Sequence, residues 1–481
     1  MRYLLLLISY LLTLPCMAIE LPDIGNSADA AISPSEEQKL GEAFFRQIRR
    51  QAEVIDDIEV NNYINELGRQ LVSYSDNPQQ LFQFFVIKED SINAFAVPGG
   101  FIGVNTGLIL KTRDESELAS VLAHEIAHIT QRHIARTEEA SQRYSLPMMA
   151  ALIAALLVGG ANPQIAEAAV AAVVAGSIQM QLNFTREHEK EADRVGMKIL
   201  AEAGFDPHSM PAFFKRLQEA NRFYENSNIP EFLRTHPVTS DRIAEAQNRA
   251  DKYLVTSADD TPYYHLMKAK LLVVIERNPN QLLKNLKNMF KEGRYRDERA
   301  LRYAIALAQL TTKQPAGIQE QLEWLSKNDT DRVMYRLLNA QSLWLKQQYP
   351  QAKAVYEQAL QVYPGNTILG IDYAEKLLQN DSMINATIAK KVLSTLPTSV
   401  NNPYYYHLLA QAYEKIGTSV EASLALAESY YLGGQTSLAV EQLRQAREQK
   451  NLNFYMSSRI EARYEQLKEI LREEQKALGL E

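Results

Sequence analysis

A disulfide framework is excluded, because Cys16 is the only cysteine in 481 residues. Excess positive charge is missing too. The chain has 51 basic and 58 acidic residues, a net −7, so no basic surface argues for nucleic acid. No apolar run reaches the roughly 20 residues that a spanning helix needs. What remains is ordinary globular composition, 46% hydrophobic and 23% charged, in a chain long enough for two or three domains.

The first residues differ from the rest. Arg2 precedes an apolar stretch over residues 4–14, Pro15 breaks it, and Cys16 and Ala18 place small residues at −3 and −1 of a cut. Residues 1–18 read as a cleaved secretory signal, with a lipoprotein site at Cys16 as the competing reading. A cut after Ala18 leaves no cysteine and no thiol chemistry. A polar linker runs on to about Ser33, which suits a helix N-cap, with Pro34 at the first helical position and Glu36 as capping-box partner. Val60, Tyr63, Ile64, Leu67 and Leu71 form the apolar stripe of a second helix.

"LFQFFVIKED" and "FIGVNTGLIL" read as strands, expected to form an antiparallel pair, with "SINAFAVPGG" between them and a turn at Gly99-Gly100. Helix dominates to about Tyr253, so residues 19–253 are expected to form a helix-rich α+β domain with a small sheet. Residues 146–176 hold two alanine-rich apolar runs around Gly159-Gly160 and Asn162-Pro163. They read as a buried or shielding helical hairpin, with membrane-surface contact as the alternative.

From residue 262 to 481 helix pairs are expected. Ala340, Tyr349, Ala352, Tyr356, Ala359 and Pro364 fall at the small, aromatic and proline positions of a 34-residue tetratricopeptide repeat. Leu343 takes a place usually held by tyrosine. Tyr406, Leu409, Ala410, Tyr413 and Gly417 make a second match, and Tyr430, Gly434, Ala439, Leu443 and Ala446 a third. Tyr413 and Tyr430 are half a repeat apart, so the two matches share a helix or one is degenerate. A solenoid of roughly four to six helix pairs is expected.

Chemistry concentrates in "LAHEIAHITQRH". His124 and His128 are separated by four residues, about 40° apart on a helix. Their imidazoles share a face and can share a metal such as zinc. Glu125, turned by about 100° from His124, stands beside that metal, where a general base can take a proton from water. His133 falls about 180° away if the helix continues, and reads as a solvent-side or packing histidine. A catalytic zinc needs a third protein ligand. "TREHEKEADRVGMKIL" offers Glu187, His188, Glu189, Glu191 and Asp193. Glu189 and Asp193 share a helix face with Gly196 and Leu200, so one can bind metal while the other orients a ligand histidine.

"HEIAH" followed by "EKEAD" resembles the zinc peptidase family that includes the heat-shock protease HtpX and the CAAX prenyl protease. The resemblance implies a zincin-like metallopeptidase domain with one zinc per subunit. It implies His124, His128 and Glu189 as ligands, Glu125 as general base and Asp193 as support. Residues Asn93, Ala94, Phe95, Ala96, Val97, Pro98, Gly99 and Gly100 match a strand that in this family implies an edge over the metal. An extended substrate can pair with such an edge through main-chain hydrogen bonds, and the two glycines allow close backbone approach or simply make the turn. For His236, read from the residues as a helix-entry histidine before a helix started by Pro237, the resemblance implies two alternatives. It fills the open zinc position and keeps the enzyme latent, or it stabilises the oxyanion with Arg242 close by. Latency is preferred, since a periplasmic protease without ATP needs a brake.

A signal, a peptidase domain and an all-α repeat solenoid together resemble the periplasmic members of this family. That implies outer-membrane β-barrel proteins as substrates, helped to assemble or degraded when stalled, and contact with the barrel-assembly machinery through the repeats. The lack of cysteines departs from disulfide-bonded relatives. The rival expectation is a chaperone or scaffold whose metal site is structural or silent.

Overall fold

The computed structural model describes residues 32–141, 186–221, 231–253, 260–397, 402–449 and 452–477. The signal read at residues 1–18 and the apolar hairpin read at 146–176 lie outside the described residues. No described helix is long and apolar enough to cross a membrane.

Helix α1 (Pro34–Gln51) opens with the expected capping box, Ser33 N–H donating to Glu36 Oε2 at 2.9 Å and Glu36 N–H to Ser33 Oγ at 3.3 Å. Helix α2 (Ile58–Val72) buries its expected stripe. Strands β1 (Gln83–Ile87), β2 (Ala94–Val97) and β3 (Phe101–Asn105) form a sheet in the order β1-β3-β2. The pairing corrects the sequence reading: β1 runs parallel to β3, and β2 forms the antiparallel hairpin with β3. The cause is the Pro98–Gly100 turn, where φ of 75° at Gly99 and 88° at Gly100 folds the chain back at once. Both glycines also meet backbone: a Cβ on Gly99 would press on Glu37 O in α1, and one on Gly100 would overlap Leu81 O. The second expected strand is also shorter than read, since Thr106–Lys111 forms helix α3.

Helix α4 (Glu115–Thr130), capped by Asp114, is buried from Glu115 to Ile129. Leu118, Val121, Leu122 and Ile126 are all within 1% of full burial, each contributing roughly 1.5–3 kcal/mol. The helix ends at Gln131, and Arg132 takes φ 53° before α5 (His133–Ser141) begins. Helix α6 (Arg186–Glu202) packs on α4, with α7 (Ser209–Asn221), α8 (Glu231–Thr235) and α9 (Ser240–Ala250) around them. Pro237 does not start a helix as expected, because Thr239 caps α9 by accepting from Arg242 N–H.

Twelve helices follow among the described residues: α10 (Pro262–Ile275), α11 (Pro279–Lys291), α12 (Glu298–Thr311), α13 (Ile318–Asn328), α14 (Val333–Leu345), α15 (Tyr349–Val362), α16 (Thr367–Leu378), α17 (Met383–Ser394), α18 (Pro403–Lys415), α19 (Ser419–Leu432), α20 (Thr436–Arg447) and α21 (Phe454–Ala477). Neighbours in sequence pack on each other. Of the positions matched to the repeat, Ala340, Ala352, Tyr356, Ala359, Ala439, Leu443 and Ala446 are buried, whereas Tyr349 is 41% exposed. Tyr413 and Tyr430 lie on the neighbouring helices α18 and α19.

One cap recurs. Lys313, Gln347, Gly417 and Gly434 all have φ between 56° and 82°. Each is followed by an N–H that reaches back to the helix, as in Gln314 to Gln309 O at 2.8 Å and Gln348 to Leu343 O at 2.9 Å.

The two halves touch directly. Lys270 of α10 lies between Asp57, at 3.0 Å, and Glu59. At the far end Arg46 Nε of α1 donates to Glu474 Oε1 of α21 at 2.6 Å.

Candidate metal centre

Helix α4 presents His124 and His128 on one face, and α6 crosses it so closely that a Cβ on Gly196 would stand 3.0 Å from Ala123 O. That approach brings Glu189 under the two imidazoles. His124 Nε2 is 3.0 Å from His128 Nε2 and 3.6 Å from Glu189 Oε2, and His128 Nε2 is 3.4 Å from Glu189 Oε1. From the segment after α8, His236 adds Nδ1 at 3.3 Å from His124 Nε2 and 3.0 Å from Glu189 Oε1. All four residues are buried.

The four ligand atoms lie within 4.8 Å of one another, and the pairs given above, at 3.0 to 3.6 Å, suit one tetrahedral ion. Bonds of about 2.0–2.1 Å set ligand atoms about 3.3–3.4 Å apart. Converging lone pairs in a dry site repel unless a cation or a proton sits among them. The electrostatics favour a proton there. Burial pushes the His124 imidazole down, but the Asp193 and Glu189 carboxylates overturn this and hold it up at about 10. Burial raises Glu189, yet His236, His124 and His128 bring it well below the usual carboxylate range. His128 is pushed well down by burial.

The other expected residues surround this group. Glu125 is buried, which raises its carboxyl against the pull of His236 and His124. Its carboxylate lies beside the Ala96 backbone of β2 and 3.5 Å from His236 Nε2. Asp193 Oδ1 stands 3.1 Å from His124 Nδ1, the nitrogen facing away from the cluster. Arg242 grips Asp193 through Nε and Nη2, both at 2.7 Å, and reaches Glu189 Oε2 at 2.8 Å. Sequence reasoning set Arg242 near the site without a partner; it joins the two acids of α6.

Strand β2 is the sheet edge over this group. Asn105 N–H bonds Asn93 O, so alternation turns the main-chain groups of Ala94 and Ala96 away from β3. Just upstream, Ile92 O is taken by Phe232 N–H at 3.2 Å. Helix α8 therefore lies along the start of the same rim.

His133 stays out of the four-atom group, as expected, and of the two readings offered for it burial selects packing over the solvent side. The helix on which the 180° placement rested stops before reaching it. His133 Nδ1 is 2.9 Å from His128 Nδ1 and its Nε2 is 3.2 Å from Glu191 Oε2. Its ring stacks on His188 at 4.5 Å. The chain break was the missed signal: no glycine marks it, and Arg132 carries the positive φ.

Comparison with known proteins agrees with this geometry. The model of peptidase family M48 matches residues 59–250, a span holding every member of the group. The beta-barrel assembly-enhancing protease of Escherichia coli K12 is 33% identical over 94% of this chain and 91% of its own length. That of Yersinia pestis is 32% identical, over 94% and 92%. A Vibrio cholerae protein carrying the same name provisionally is 37% identical, over 93% and 92%. With likeness of this degree along nearly the whole chain, and a buried histidine and glutamate cluster inside the matched span, the protein belongs to the M48 metallopeptidases.

Proposed function

We propose that this chain is a periplasmic zinc endopeptidase that attends the assembly of outer-membrane β-barrel proteins. The observation that carries the reading is the convergence of His124, His128, Glu189 and His236 on one point. His124, His128 and Glu189 hold the zinc. When bound, zinc supplies a Lewis acid that polarises a carbonyl and makes water more acidic. Glu125 takes the proton of the attacking water and returns it to the leaving amine, a role suited to a buried carboxyl of raised pKa. Asp193 keeps His124 turned toward the site, and Arg242 keeps both α6 carboxylates charged and in place. An extended substrate pairs with the outward groups of Ala94 and Ala96 along β2, which is sequence-tolerant.

The substrate class follows the names of the relatives, which describe proteases that enhance β-barrel assembly. Residues 1–18 act as the export signal, and residues 19–253 are the peptidase domain. Residues 262–481 are a tetratricopeptide-repeat solenoid that meets the barrel-assembly machinery. The buried small residues and the recurring helix caps support that register.

A second reading rests on His236. Four protein ligands close a site, as structural zinc sites are closed, so a scaffold or chaperone with a latent centre fits the same geometry. One experiment separates them. Purified Glu125→Gln is expected to keep its fold and zinc while cleaving an unfolded barrel protein about 10²–10⁴-fold more slowly. Undiminished cleavage removes the mechanism. Full rescue of barrel assembly in cells by the same variant supports the scaffold.

A further inference from the structure

His128 can lend Nε2 to a metal only if that nitrogen keeps its lone pair, so its proton sits on Nδ1. An Nδ1–H in a dry interior needs an acceptor. Among the described residues, another imidazole nitrogen, His133 Nδ1, stands 2.9 Å from it. To accept there, His133 must carry its own proton on Nε2, which points at Glu191 Oε2, 3.2 Å away. Glu191 is kept charged by Arg136 Nη1 at 2.8 Å. The directions agree along the whole chain: carboxylate, imidazole, imidazole, cluster.

Local structure is bent to make this possible. On an unbroken helix residue 133 would stand about 140° from residue 128. The left-handed Arg132 ends α4 and starts a new helix, swinging His133 beneath His128. The parallel His188 ring, 4.5 Å away at 11°, holds the His133 plane, and the His133 carbonyl accepts from Thr137 Oγ1 at 2.7 Å.

We infer that His133 is a positioning residue for the metal centre: backed by Glu191, it accepts the Nδ1–H of His128 and so fixes the tautomer and ring orientation of that ligand. This rests on the proposal that His128 binds the metal. It differs from the role of Asp193, which serves His124 from another helix.

The test uses the purified full-length chain, stripped of metal and titrated with Zn²⁺ against a chromogenic chelator. Wild type must bind one Zn²⁺ tightly; if it binds none, the metal reading itself fails, separately from this inference. His133→Phe keeps the ring stacked on His188 but offers no acceptor, and is expected to weaken Zn²⁺ about 10–100-fold. His133→Asn places a carbonyl oxygen near the lost nitrogen and is expected to recover most of that affinity. A purely structural role would make the two variants fall together, or track the melting temperature of the metal-free protein; either result overturns the inference, as does wild-type affinity in His133→Phe. Should His133→Phe not fold, His133→Asn and His133→Ala decide by the same comparison. Cobalt substitution gives an independent signature. The exchangeable N–H resonance of the His128 ligand should persist in His133→Asn and broaden away in the variant without an acceptor; an unchanged resonance in both refutes the assignment.

Discussion

At the scale of single residues, the cluster behaves as a trap for positive charge. His124 is held at about 10 against an ordinary 6.5, so the metal-free protein keeps a proton where the metal would go. A value raised in this way contributes stability that is complete below pH 6.5 and fades as pH rises through about 10. Zinc binding at pH 7 should therefore expel about one proton, measured by calorimetry in buffers of different ionisation heat. Uptake without proton release would contradict the assignment. His236 allows a second trial. His236→Ala should keep zinc on three protein ligands and raise basal proteolysis several-fold; equal or lower proteolysis with zinc retained would favour the oxyanion role. The sequence made His124, Glu125 and His128 legible because four-residue spacing on a helix is a strong geometric statement. Glu189 and Asp193 were legible as a pair, their division of labour only by resemblance. His133 was not, because its position depends on a helix ending that no proline or glycine announces.

At the scale of elements, α4 and α6 must nearly touch for Glu189 to reach the histidines. Gly196 permits this, with its missing Cβ 3.0 Å from the α4 backbone. Gly196→Val should cost about 1–3 kcal/mol of stability and weaken zinc binding through Glu189, both seen in melting and titration of one preparation. Loss of stability with unchanged affinity would show that α6 yields without moving its acid. In the repeat-like half, Gln347 sits where Gly417 and Gly434 sit in other turns. Gln347→Gly should hold or raise the melting temperature, the relief of a left-handed side chain, about 1 kcal/mol, being partly offset by unfolded-chain entropy. Helices were easily read from periodicity, whereas strand pairing was not. Alternation reports which face is buried and says nothing about which neighbour is parallel, and here the glycine turn decided it.

At the scale of the whole molecule, the halves are joined by enclosed ion pairs both near their junction and between the first and last described helices. Lys270 sits between Asp57 and Glu59 where the halves join. Arg46 and Glu474 meet where they end, 11% and 6% exposed. Removing one partner of so enclosed a pair should cost about 3–5 kcal/mol. Arg46→Ala is expected to speed hydrogen exchange throughout α21 while leaving α14 to α16 protected; uniform exchange would mean the contact is ornamental. The pair also has a consequence in time. Arg46 and Glu474 are 428 residues apart, and ribosomes add about 5–20 residues per second. Helix α1, against which the turn after the edge strand is seated, is thus made roughly 20 to 90 s before the helix that will hold it. Through that interval α1 rests on the sheet, by Phe44 and Ile48 against Phe85 and Phe101, and its hold on Glu474 forms only when α21 arrives.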